Sequence, residues 1–244
     1  MTSASSKQCK DFIRVPKDQM TLLGAPISHE PAQDKVLLEK VDNLDRAISA
    51  PKYLQAHDAL VLLKNSLSMP RLLYALRTSD CHDHPLLTRF DTILREGLSL
   101  ILNVDFDDTQ WLQATLPVRH GGTSLRTAST LATSAFLASA ASTEAHQQAI
   151  LPPSHSNVAD EIRNPAADAW TSLSSSEPKE PCFQRIQKAW DGPLVKSMMD
   201  RIALTANSDV DHVRLKAATA PHSGDWLHAP PIASDEEIRI SVAQ

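Results

Sequence analysis

The sequence predicts a mainly α protein, in which a short amino-terminal β-hairpin is followed by a helical bundle and a second helical region. Three observations predict it. Thirty alanines and thirty leucines fill about a quarter of the 244 residues, against six glycines and 5% aromatic residues, a balance that suits helices better than sheets. Apolar residues recur at three- and four-residue steps in several segments. Pro31, Pro70 and Pro85 each stand where a first helical turn tolerates proline.

In order along the chain, residues 1–10 are small and polar, without periodicity, and are expected to form a disordered start. Residues 11–28 suit a hairpin. Its strands are expected at Phe12–Val15 and Met20–Leu23, joined across Pro16–Gln19, with Gly24 and Pro26 closing the second run. Residues 29–103 form the bundle. A helix from Pro31 places Val36, Leu37, Val41, Leu44 and Ile48 on one stripe, a second runs from about Tyr53 to Ser66, and a third from Met69 to Arg77. The fourth opens at Asp83 and Pro85 and carries Leu86, Phe90, Ile93, Leu94, Leu98 and Ile101 inward as far as Leu102.

Residues 104–244 make the second helical region. Asp107 or Asp108 caps a helix around Trp111, which Pro117 ends, and Gly121-Gly122 suits a turn with positive backbone angles. Leu125 to Ile150, rich in Ala and Leu and poor in charge, reads as an inner helix rather than an interface face. A short helix is expected over Val158 to Trp170, interrupted at Pro165, then a flexible linker near residues 172–181. Three further helices follow: Cys182 to Trp190, Pro193 to Thr205, and Asp209 to Thr219 with Ser208 or Asp209 as cap. Ser234-Asp235-Glu236-Glu237 resembles one more helix start.

Charge and motifs exclude several functions. The net charge of −5 lacks the strong positive field of an autonomous nucleic-acid binder, so any such binding must be local. Residues 1–100 hold 13 basic and 12 acidic groups and residues 101–244 hold 11 and 17, which places the cationic capacity in the first half. Three distant cysteines and no Asn-x-Ser/Thr site argue for an intracellular protein, and the longest apolar run, Ala59 to Leu63, is too short for a membrane span. Phosphate-loop, dinucleotide, zincin and nucleophile-elbow motifs are all missing from the sequence. Asp80-Cys81-His82-Asp83-His84 is the densest group of ligand-type residues. Without a second Cys or His pair at zinc-finger spacing it reads as a polar loop, not a metal site. The tryptophans Trp111, Trp170, Trp190 and Trp226 read as core anchors. Lys64, Arg71 and Arg77, with Tyr74 between them, suit either a phosphate-tracking surface or an ordinary solvated face.

Several segments, in order, resemble one family. They are Leu22-Leu23-Gly24-Ala25-Pro26-Ile27, His57-Asp58-Ala59-Leu60, Met69-Pro70-Arg71-Leu72-Leu73-Tyr74-Ala75-Leu76-Arg77, Leu116-Pro117-Val118-Arg119-His120-Gly121-Gly122, and Ser223-Gly224-Asp225-Trp226-Leu227. Together they are similar to the part of a non-LTR retrotransposon reverse transcriptase that lies downstream of its catalytic palm. The resemblance implies that residues 29–103 are a thumb-like bundle. Leu23 and Gly24 would take the primer-grip position, and Lys64, Arg71 and Arg77 would lie on thumb helices. It implies weak, non-specific binding of an RNA or DNA template–primer, with a helical protein-interaction module as the alternative, and an intracellular setting, nuclear or cytoplasmic. The family's polymerase uses paired palm aspartates to hold two metal ions. Here the adjacent pair Asp107-Asp108 follows Leu23-Gly24 instead of preceding it. No catalytic residue, metal or other cofactor is therefore expected in this chain, and Mg²⁺ only in a complete polymerase. Gly121-Gly122-Thr123-Ser124 also departs from the family's more glycine-rich turn.

Overall fold

A computed structural model of the chain describes residues 15–16, 19–26, 31–49, 54–152, 158–178, 184–206 and 208–228. The expected disordered start, most of the first expected strand, the region around Tyr53, the end of the linker with Cys182, and the helix start at Ser234 lie outside the described residues. The described chain is mainly helical, with a two-stranded antiparallel sheet near its amino terminus.

The hairpin is tighter than expected. Strand β1 (Thr21–Leu22) pairs with β2 (Ala25–Pro26), with Thr21 opposite Pro26 and Leu22 opposite Ala25. Leu23 (φ 52°) and Gly24 (φ 82°) form the turn, and positive φ at both central residues is the type I′ pattern, whose twist matches that of the flanking strands. Ala25–Pro26 is thus a strand of its own and not the close of the run Met20–Leu23, because a two-residue turn at Leu23-Gly24 reverses the chain there.

Helix α1 (Ala32–Ile48) buries Val36, Leu37, Val41 and Leu44, the stripe its spacing predicts. Helix α2 (Ala56–Leu62) stops short of the expected Ser66 and passes into one π-helical stretch, Leu63–Leu67, before α3 (Met69–Thr78). Helix α4 (Pro85–Leu102) is capped by His84, whose ring nitrogen accepts from the Leu86 N–H, and not by Asp83. Pro85 at the first helical position makes the residue before it the cap and holds that residue extended. In α5 (Asp108–Ala114) Asp107 and Gln110 form a reciprocal capping box.

Helix α6 (Ala128–Ile150) is the spine of the fold. It packs against α3 and α4 on one side. On the other it meets α7 (Val158–Ser174) and α8 (Gln187–Thr205). Leu131 to Ala138 are consequently all buried, which is why this segment lacks an amphipathic period and reads as an inner helix. One core joins α1–α4 with the first turns of α6; a second joins Phe136 and Leu137 to Trp170 of α7 and to Trp190 and Leu194 of α8. A third sets Leu116 against Val195, Met198 and Ile202 of α8. Helix α9 (Asp209–Ala218), capped by Ser208, follows.

Two prolines mislead. Pro165 lies inside α7 and Pro193 inside α8, so neither helix is interrupted there, and the two helices expected around Pro193 are one. An interior proline costs about 3 kcal/mol. Ala166 and Trp170 beside the first, and Trp190, Leu194 and Val195 beside the second, are buried, and that burial offsets the cost. The expected linker is helical up to Ser174. The Ser197 hydroxyl of α8 donates to the Leu173 carbonyl (3.1 Å), which ties the end of α7 down. Trp226 is not a core anchor: it is half-exposed, tilted against His57 at 6.3 Å, whereas Trp170 and Trp190 are buried and Trp111 is partly buried against Phe106.

Only the first glycine of the pair has the expected backbone angle. Gly121 has φ +80°, while Gly122 is needed for space: a Cβ there would collide with the Leu116 carbonyl oxygen and stand 2.6 Å from that of Gln113. Neither neighbour is a side chain that can swing away. Gly122→Ala is expected to cost about 1–3 kcal/mol, as overpacking does, read as a lower urea midpoint with an unchanged slope; an unchanged midpoint would remove the close-approach explanation.

Candidate nucleic-acid interface

Helix α3 faces two ways. Met69, Leu72, Ala75 and Leu76 point inward, and Arg71, Tyr74 and Arg77 are exposed at three-residue steps along the opposite side. Residues three apart are surface neighbours on a helix, so the half-exposed Tyr74 stands between Arg71 and Arg77 in one row along the helix surface. Each arginine is also steadied: Arg71 Nε donates to the Ser66 carbonyl (3.1 Å), and Arg77 Nη2 donates to Gln187 Oε1 (2.9 Å) at the start of α8. Both retain further N–H donors, because a guanidinium has five.

Lys64 sits differently. It lies in the π-helical stretch, half-buried, and burial lowers its pKa from the ordinary lysine value. Its ammonium group is less exposed than the two guanidinium groups. Leu23 and Gly24 form the tip of the hairpin, with Leu23 almost fully exposed and open space around the missing Gly24 side chain. Strand β2 packs against α1 and α3, so the hairpin is anchored on the helix that carries the arginines.

Asp80, Cys81, His82 and His84 of the α3–α4 loop have protein partners. Cys81 is buried, and that burial, with the nearby Asp80 charge adding and the Gln33 hydrogen bond opposing, pushes its thiol up to about 11. Such a thiol stays protonated at neutral pH. His82 Nδ1 meets Asp80 Oδ1 at 2.6 Å, and His84 Nε2 meets Asp34 Oδ1 at 2.8 Å. Among the described residues no group of three His, Cys, Asp or Glu side chains is placed to hold a metal ion. The Asp107-Asp108 pair is likewise occupied, Asp107 in its capping box and Asp108 with Arg95 at 2.8 Å.

Sequence reading missed a second group of cations. Arg119 and Arg126 come from the α5–α6 loop, Lys188 from the first turn of α8, and all three line one pocket. Their separation in the sequence and the acidic total of the second half conceal them. The one local signal is Arg119 and Arg126 flanking the Gly121-Gly122 turn, which brings the two sides of that loop together.

Comparison of the chain with protein-family models, curated proteins and solved structures finds no match. Among the described residues no helix is long and apolar enough to cross a membrane.

Proposed function

We propose that this chain is a thumb-like and post-thumb portion of a retrotransposon-type reverse transcriptase, which binds a template–primer duplex weakly and without sequence preference, and has no polymerase site of its own. The observation that supports it most is the Arg71–Tyr74–Arg77 row on the solvent side of α3, the helix against which a hairpin with the exposed tip Leu23-Gly24 packs. Guanidinium groups at that spacing suit successive phosphates, and an aromatic ring between them suits a sugar or base edge. Lys64 contributes less, being half-buried.

Counterion release gives the test. Each phosphate neutralised on a duplex adds about −0.9 to the slope of log affinity against log salt. Arg71→Gln with Arg77→Gln is expected to flatten the slope by about 2, measured by fluorescence anisotropy on a short RNA–DNA duplex, while the melting temperature stays close to that of the unmodified chain. An unchanged slope would defeat the α3 reading.

One observation favours the protein-interaction alternative. Leu204 of α8 and Val210 and Val213 of α9 are exposed apolar side chains, whereas the second half of α6 offers chiefly polar residues and Ile150. If the full chain binds no duplex at low ionic strength, this end of the molecule is the better account.

A further inference from the structure

We propose that the pocket between the α5–α6 loop and α8 is a second phosphate-backbone site, which extends the α3 row onto the carboxy-terminal region. The proposal rests on the duplex-binding reading above.

The pocket has a volume of about 400 Å³ and is lined by Arg119, Ser124, Arg126, Lys188, Asp191 and His228 among others. Three cations and one carboxylate give its lining a charge of about +2 with histidine neutral, within a half-chain whose groups sum to −6. The carboxylate is already used. Arg126 grips Asp191 with two parallel hydrogen bonds (3.1 and 3.2 Å), and the Ser134 hydroxyl of α6 donates to the same carboxylate at 2.6 Å. This fork-to-fork pair is held by a buried serine and makes a rigid wall. Arg119 and Lys188 remain as the excess positive charge. Arg119 is exposed, its Nε donating to His120 Nε2 (3.0 Å), and the exposed Lys188 has no ion pair among the described residues.

Proximity to α3 points to a polymer. Gln187, the residue before Lys188, accepts the hydrogen bond from Arg77, so the last arginine of the α3 row meets the same first turn of α8 that supplies the pocket's lysine. A small molecule is ordinarily enclosed over most of its surface. Here Arg119, Lys188, Gly192 and His228 are exposed at the opening, and Gly192 leaves open space where a side chain would stand. An open, cationic recess next to a cationic helix face suits a strand that passes through rather than a ligand that is sealed in.

The test uses the full chain, a short RNA–DNA duplex and two double variants, Arg119→Gln with Lys188→Gln for the pocket and Arg71→Gln with Arg77→Gln for α3. All four side chains are exposed, and thermal melting checks that each variant stays folded. The pocket variant is expected to flatten the salt slope by about 2, and the combination of both by about 4. A flattened slope in the α3 variant alone overturns the pocket and leaves the α3 reading standing; a flattened slope in the pocket variant alone does the reverse. Inorganic phosphate is the remaining probe. If phosphate raises the melting temperature of the unmodified chain but not of the pocket variant, and duplex slopes do not differ, the recess takes a free anion and the proposal fails. Absence of any duplex binding at low salt overturns both.

Discussion

Trp170→Ala is expected to lower the unfolding free energy by about 3–5 kcal/mol, the range for removing a large aromatic from a core. Trp170 is 1% exposed and meets Trp190 edge-to-face, with ring centroids 4.9 Å apart and planes at 86°, a geometry that adds to the area it buries. Its Nε1–H donates to the Trp190 carbonyl (3.0 Å), and the Trp190 Nε1–H donates in turn to the Gln184 carbonyl (2.6 Å). These two bonds set the first turns of α8, which carry Gln187, Lys188 and Asp191. Trp170→Phe keeps an apolar ring and loses the hydrogen bond, and is expected to cost about 1–2 kcal/mol. Urea unfolding of the three proteins measures both values. The alanine variant should also bind duplex less well when still folded, since the pocket wall and the Arg77 partner stand on the displaced turn. A loss below about 1 kcal/mol for alanine would mean that α7 is not the support of α8.

What could be read beforehand followed local signals. Helix α4 is legible because its apolar residues keep one period for 18 residues, and the first half of α6 because the uncharged, Ala-rich stretch Leu131 to Ala138 has no solvent face to present, whereas the end of that helix, from Ser142 to Ile150, is largely exposed. Proline is a poor guide where tertiary burial outweighs a local penalty: Pro165 and Pro193 lie within helices clamped by Trp170 and Trp190. The hairpin was displaced because the apolar run Met20–Leu23 looks like one strand, although Leu23-Gly24 is itself the reversal. For the candidate site, the α3 arginines follow directly from helical spacing. The pocket does not, since Arg119, Arg126 and Lys188 meet only through the packing of α6 against α8. The role given to these surfaces comes from the family resemblance, and the geometry supplies cations, spacing and exposure.

Asp91→Ala is expected to cost about 3 kcal/mol, because it strips the start of α6 of its cap and leaves buried donors unpaired. Thr127, the residue at the cap position, makes no side-chain cap bond. Asp91 of α4 does this from across the core: Oδ1 accepts from the Ala128 N–H (2.6 Å), and Oδ2 accepts from the Ser129 N–H (3.0 Å) and hydroxyl (2.6 Å). Its place was legible in principle, since Leu87, Asp91, Leu94 and Leu98 share one inward stripe and a carboxylate there requires partners. Burial raises the Asp91 pKa above the ordinary aspartate value, and the bonds from Ser129 and Ala128 oppose that shift without reversing it. A group whose pKa is raised on folding contributes stability that is complete below its unfolded value and is lost as pH rises through the folded value. Asp91→Asn has a neutral side chain of the same shape and lacks that dependence. The stability of the native chain relative to Asp91→Asn should therefore be greatest at acid pH and fall as pH rises through the folded Asp91 value, other titrating groups being common to both. Urea midpoints of the pair across that pH range measure the difference. A gap that widens with pH would show that the three hydrogen bonds outweigh burial and that the carboxylate, not the acid, is the favoured cap of α6.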